Sequence, residues 1–104
     1  MPEFYRAIIG VTSKLEAISI IELLLEKKLI AGGKYTKTDS IHHWQGKIDH
    51  EPYYNVLAYT INTKRDEIIK LVTNMHSDEV PAIYFDKIDY GNQPFLQWIV
   101  DNIE

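Results

Sequence analysis

Two stretches of this chain are apolar on both of their alternating faces, and that limits the folds open to it. In residues 3–11, EFYRAIIGV, one set holds Tyr5, Ala7, Ile9 and Val11 and the other Phe4 and Ile8. Residues 52–62, PYYNVLAYTIN, repeat the pattern, with Tyr53, Leu57, Tyr59 and Ile61 set against Tyr54, Val56 and Ala58. Successive strand side chains point to opposite faces, so both faces of these strands need cover. A fold that leaves one side of its sheet in water does not satisfy them.

The rest of the chain supplies the partners. Residues 3–11 and 52–62 read as strands, rich in β-branched and aromatic residues. Ser13 to Glu16 is a capping-box pattern, followed by Leu15, Ile18, Ile21 and Leu25 at helical spacing, which predicts a core-facing helix over 13–28. Residues 29–48 read as a strand, with Gly32-Gly33 marking a bulge or a close backbone approach. Asp49–Pro52 is the expected turn into the strand at 52–62, giving a long hairpin. A second capping-box pattern, Thr63 to Asp66, precedes Ile68, Leu71, Val72 and Met75 on one helical face. Residues 80–88, VPAIYFDKI, read as the last strand, with Pro81 near its start. Asn92 is placed to cap a final helix with Pro94 in its first turn and Phe95, Trp98, Ile99 and Ile103 on its apolar side.

This order is the split βαβ plan: an α+β, ferredoxin-like βαββαβ antiparallel sheet with a long hairpin arm and an extra C-terminal helix. One domain, residues 1–104, accounts for the whole length. Two helices cover one sheet face, and the C-terminal helix is too short to cover the other. Other subunits are therefore expected on the bare face, on the arm, or on both.

Composition removes several classes of function. The net charge is −4, from 11 basic and 15 acidic residues, and no basic stripe is present, so nucleic acid is not an expected partner. Cysteine is absent, which excludes disulfides, thiolate metal sites and a cysteine nucleophile. No apolar run approaches the roughly 18 residues of a membrane span, and no secretory leader pattern opens the chain. A soluble, cytoplasmic protein that contacts no membrane is expected. No nucleophile elbow, HExxH motif or phosphate-binding glycine loop occurs, so no catalytic residue is assigned and no enzymatic activity is expected.

The densest group of potential ligands is SIHHWQGKIDHE, residues 40–51, where His42, His43, Asp49, His50 and Glu51 crowd together. Strand alternation puts His42 and Trp44 on one face and His43 on the other, so the adjacent histidines cannot easily share an ion. Two readings stand: polar residues on a solvated arm, or a weak metal site completed from across the hairpin. His76 and Glu79 form a second group between the second helix and the last strand, with Asp78 beside them. There the alternatives are a ligand or metal contact and simple helix-end structure. Trp44 and Trp98 read as core or subunit-interface anchors.

Three segments in order carry a resemblance. SI-x-x-W-x-GKI (Ser40 to Ile48), H-x-x-EVP (His76 to Pro81) and GN-x-P-F-L-Q-W-I (Gly91 to Ile99), with EKKLIA before them, resemble the CutA family of divalent-cation tolerance proteins over roughly residues 4–100. The resemblance implies a tight homotrimer, similar in architecture to PII signalling proteins, whose arms extend neighbouring sheets. It makes Trp44, Gly46, Lys47, Ile48 and Trp98 expected interface residues, and a divalent metal, copper or zinc, the expected ligand at subunit clefts. A PII-like alternative is an anionic metabolite or nucleotide held by Lys47, Lys64 and Arg65. Three positions depart from the family pattern: Gly32 stands where a cysteine is usual, Ser77-Asp78 where Pro-Tyr is usual, and Asn62 where a lysine is usual. His76 and Glu79, then Asp78, are the first metal-ligand candidates; His42, His43 and His50 follow.

Overall fold

Eight elements follow one another in the computed structural model, which describes residues 2–103. They are β1 (Phe4–Val11), α1 (Lys14–Glu26), β2 (Gly32–Trp44), β3 (Lys47–Ile61), a 3₁₀ turn (Asn62–Lys64), α2 (Arg65–Met75), β4 (Ile83–Ile88) and α3 (Gln93–Asp101). The strands form one sheet in the order β2-β3-β1-β4, and every pairing is antiparallel. Helices α1 and α2 lie on one face over Ala7, Ile9, Val11, Val56 and Ala58, all fully buried, and contribute Ala17, Ile20, Leu24, Ile68 and Val72 to the same core. Thr60 is the buried polar residue among them; its hydroxyl donates to the Leu29 carbonyl at 2.7 Å and is thereby satisfied. This is the expected ferredoxin-like topology with its extra helix.

The start of α1 follows its sequence signal. Ser13 is extended, and its hydroxyl accepts from the Glu16 N–H at 3.1 Å. The core stripe, however, is turned from the one expected. Ala17, Ile20, Ile21 and Leu24 face the sheet, while Leu15 is 75% exposed and Leu25 is exposed. Adjacent apolar pairs, Ile20-Ile21 and Leu24-Leu25, fit two stripes one residue apart, and only packing chooses between them. The helix closes with the Leu29 N–H bonded to the Leu24 carbonyl and the Lys28 N–H to that of Leu25, while Lys28 takes the left-handed φ of 56°.

Other local expectations are corrected. The Thr63 capping box does not form: Thr63 sits inside the 3₁₀ turn, not at an extended cap, and α2 begins with no side-chain cap bond. Asn92 occupies the cap position of α3 but caps through its carbonyl, which accepts from the Phe95 and Leu96 N–H groups at 3.2 Å each. The last strand starts at Ile83, after Pro81.

The largest correction concerns the hairpin. Its turn is Gln45-Gly46, not Asp49–Pro52, and β3 begins at Lys47. Gln45 and Gly46 have φ of 50° and 80°, the positive values at both central positions that a type I′ hairpin turn requires. Asp49–Pro52 lie within β3, with Pro52 opposite Asp39. The Tyr59 carbonyl accepts from the Ala31 N–H, so odd-numbered residues of β3 direct their backbone groups toward β2 and even-numbered ones toward the β1 side. Pro52 is even-numbered, and β1 ends opposite Tyr54, so its missing N–H falls on an open edge. Beyond that point β2 and β3 pair only with each other, and the arm stretches the molecule to 44 × 25 × 21 Å.

Helix α3 lies on the opposite sheet face. Its Phe95 and Trp98 gather round Tyr59, with ring centroids 5.0 and 6.5 Å away, and a Cβ on Gly32 would come within 2.8 Å of the Trp98 ring. Glycine at 32 is what lets that indole lie on the sheet.

Candidate functional site

Strand register brings the arm's chemistry to one side. His42 pairs with Asp49, Ser40 with Glu51 and Thr38 with Tyr53, so these side chains share the α3 face of the sheet with Trp44. His50, opposite Ile41, and Ile48, opposite His43, belong to the other face. Facing the first set is the loop from His76 to Ala82, which joins α2 to β4. Arm and loop enclose a cleft of about 590 Å³, with Asp49, Glu51 and Tyr53 on one wall and Asp78, Glu79 and Val80 on the other. His42, His43 and Trp44 also border it, and no lysine or arginine does.

The loop is fixed from beneath by His76. Its side chain is fully buried at the C-terminal end of α2. The Asp78 backbone N–H, which can only donate, lies 2.9 Å from Nδ1. The Gly10 carbonyl, which can only accept, lies 2.6 Å from Nε2. Nδ1 is therefore the acceptor and Nε2 carries the proton. Both ring nitrogens are engaged, so His76 holds the loop to β1 while Asp78 and Glu79 line the cleft.

Glu16 and Tyr53 complete this support. The Glu16 carboxylate accepts from the Ser77 N–H at 2.8 Å and the Ser77 hydroxyl at 2.9 Å, and lies 3.8 Å from His76 Nδ1. Burial raises its pKa, but the Ser77 hydrogen bonds, together with His76 and the Thr12 backbone, outweigh that and hold the carboxyl below its ordinary 4.5. The Tyr53 hydroxyl donates to Asp78 at 2.5 Å. Burial, and then that bond, push the phenol well above its usual 10. Tyr53 also packs on β1, where a Cβ on Gly10 would meet its ring at 2.6 Å. Sequence reasoning missed Tyr53, Glu16, Ser77 and Gly10. Glu16 looked like part of a helix cap, and nothing in the one-dimensional pattern links it to a residue 61 positions away.

The remaining candidates are dispersed. His42 Nδ1 is 2.8 Å from the Ser40 hydroxyl, and its ring tilts against Tyr53 at 6.4 Å. His43 and His50 are exposed. Among the described residues no three histidine, aspartate or glutamate side chains converge closely enough to hold a metal ion. Imidazole and carboxylate donors stand around the cleft, but one chain does not assemble them into a compact coordination shell. Lys47 sits at the arm tip, whereas Lys64 and Arg65 lie past the other end of β3, with the Arg65 guanidinium 4.4 Å from the centre of the Tyr5 ring. Fifteen residues of strand separate those ends, roughly 45 Å at the usual rise, so a single chain cannot unite these cations on one anion. The expected interface residues divide similarly. Trp44, Gly46, Lys47 and Ile48 cluster at the exposed tip, and Trp98 already packs on Gly32 and Phe95 within the chain. No helix among the described residues is long and apolar enough to cross a membrane.

Comparison with known proteins agrees with this architecture. The family model for CutA1 divalent ion tolerance protein matches residues 6–102. The chain is 35% identical over 89 residues to the divalent-cation tolerance protein CutA of Archaeoglobus fulgidus, spanning 86% of this chain and 87% of that one. A solved structure described as the periplasmic divalent cation tolerance protein CutA from Archaeoglobus fulgidus superposes with a TM-score of 0.93 at 34% identity, over the full length of both chains. CutA1 from the psychrotrophic bacterium Shewanella sp. SIB1 gives 0.92 at 30% identity, covering 98% of this chain and 96% of that one. On sequence, topology and superposition together, the chain belongs to the CutA1 divalent ion tolerance family.

Proposed function

We propose that this chain is a non-enzymatic homotrimer that responds to divalent metal ions, with the arm joining subunits and the cleft between arm and loop receiving the cation. The observation that carries this reading is the cleft's one-sided charge: Asp49, Glu51, Asp78 and Glu79 line it with no lysine or arginine among them. Such a lining concentrates cations. His42, with Asp49 opposite it and Glu51 beside it, supplies the imidazole that suits copper or zinc. Asp78 and Glu79 add oxygen donors from the loop, and His76 positions that loop. A second copy seated against the arm, or side chains turning inward, closes the coordination shell. His43 and His50, on the arm's margin and far face, are secondary ligands at most. The cytoplasm, kept reducing, suits a cysteine-free chain as well as any other compartment.

Isothermal calorimetry with Cu²⁺ and Zn²⁺ tests the metal reading. Saturable binding that weakens when Asp49→Asn and Glu51→Gln are combined supports it, and the absence of heat with both ions overturns it. Light scattering tests the assembly, since a mass near 12.1 kDa contradicts a trimer.

A further inference from the structure

We propose that Tyr53 couples the hairpin arm to the 76–82 loop, so that the two hold or yield together. The coupling is a property of the chain's own contacts and holds whatever the cleft receives.

The loop is closed on a single residue of β1. The Gly10 carbonyl accepts from His76 Nε2 at 2.6 Å, and the Gly10 N–H donates to the Ala82 carbonyl at 3.0 Å. Gly10 thus grips both ends of the loop. Ser77 is tied to Glu16 of α1 through its N–H and its hydroxyl, and the Asp78 N–H to His76 Nδ1. The Asp78 carboxylate is the next point of attachment, and what holds it is Tyr53.

Tyr53 stands where the arm leaves the body of the molecule. The β1–β3 register ends with Val11 opposite Tyr54, so Tyr53 is the first β3 residue without a β1 neighbour. Outward from it, β3 pairs with β2 alone. Its ring rests on Gly10, the residue that closes the loop, and tilts against His42 further out on β2. Among the described residues, the Tyr53–Asp78 bond is the one side-chain hydrogen bond or ion pair that joins residues 38–53 to anything outside the hairpin.

That position gives one bond a long reach. A two-stranded ribbon is marginally ordered by itself, so a tie at its root governs how firmly the arm is held. A phenol donating to a carboxylate makes a charge-assisted bond, stronger than a neutral one, and both partners here are half-buried. Coupling of this kind is reciprocal. Whatever steadies the arm steadies Asp78, and whatever pulls the loop from Tyr53 loosens the arm.

Amide hydrogen exchange on the full chain tests this with Tyr53→Phe, which keeps the ring on Gly10 and removes only the hydroxyl. The bonded Ser77 and Asp78 amides and the β2–β3 ladder between 39 and 51 should both exchange about tenfold faster, equivalent to about 1.4 kcal/mol for the lost bond. Asp78→Ala should loosen the same two regions. The double variant should be no looser than either single one, because all three lack the same bond. Glu16→Gln is the control: it frees Ser77 without touching Tyr53, so the loop should exchange faster while the arm keeps the parent rate. A Tyr53→Phe chain loosened only in the loop, only in the arm, or in neither overturns the inference. Additive losses in the double variant overturn it too. So does an arm that loosens equally in Glu16→Gln, which would mean general destabilisation.

Discussion

The inner and outer halves of the β2–β3 hairpin obey the same two-residue alternation but live in different surroundings. The inner half, from Gly32 to Lys37 and Tyr54 to Ile61, has β1 alongside β3, α1 above it and α3 beneath part of it. Its Val56, Ala58 and Thr60 are fully buried. The outer half pairs only with itself, and there Ile41 is 64% and Ile48 63% exposed. An apolar side chain is thus a finished core contact in one half and unfinished surface in the other. Apolar residues clustered on a protruding arm mark a surface that another chain covers. The inner half is specified by the chain itself; the outer half is left for the proposed assembly to complete.

Breaking the inner half should cost most. Ile9→Ala, at a fully buried core position facing Val56, should destabilise by about 2–5 kcal/mol in denaturant unfolding. A loss under about 1 kcal/mol would mean that the core is not where burial puts it. Combining Ile41→Asp with Ile48→Asp is the matching test on the arm. The expectation is a fall in light-scattering mass toward 12.1 kDa with far-UV circular dichroism retained; unchanged mass would remove the arm from the interface.

Glu16→Gln probes the support beneath the loop and should cost about 1–3 kcal/mol through the weakened Ser77 bonds. Because the folded-state pKa of Glu16 is depressed, its contribution is present above the ordinary value of 4.5 and is lost as pH falls through the folded value. The variant should therefore show a shallower decline in stability below about pH 4.5 than the parent chain. Parallel acid limbs would contradict this. Gly46→Ala is the smallest change. Nothing lies within 4 Å of the added Cβ, so only the left-handed φ of 80° is penalised, by about 1–2 kcal/mol. Any loss should appear in the arm, as faster amide exchange there than in β1.

How much of this was legible in the sequence follows the same division. The element order, the Ser13 cap, the Ile68–Val72 face of α2 and the uncovered sheet face could be read because each rests on contacts within a few residues or on simple alternation. The hairpin turn was misplaced because Asp49–Pro52 carries strong turn residues. A proline is tolerated in β3 only because the neighbouring strand has already ended, which is a tertiary fact. His76 was singled out by position as a metal ligand, but its buried ring is doubly bonded to Gly10 and Asp78, a pairing that no local pattern announces. The role of Tyr53 depends on a loop 25 residues away. Alternation alone puts His42 and His43 on opposite faces, yet it cannot show the acidic loop that faces the arm.

Pro52 carries a consequence for how such arms can pack. Along the outer hairpin, β2 offers an uninterrupted row of peptide donors from Gly32 to Trp44, while the exposed flank of β3 has a gap where Pro52 sits. A strand arriving from another chain therefore finds a continuous template on one flank and a broken one on the other. Growth is directional: each arm can be extended on its β2 side but resists being sandwiched. A single proline in the middle of the arm is enough to impose that polarity.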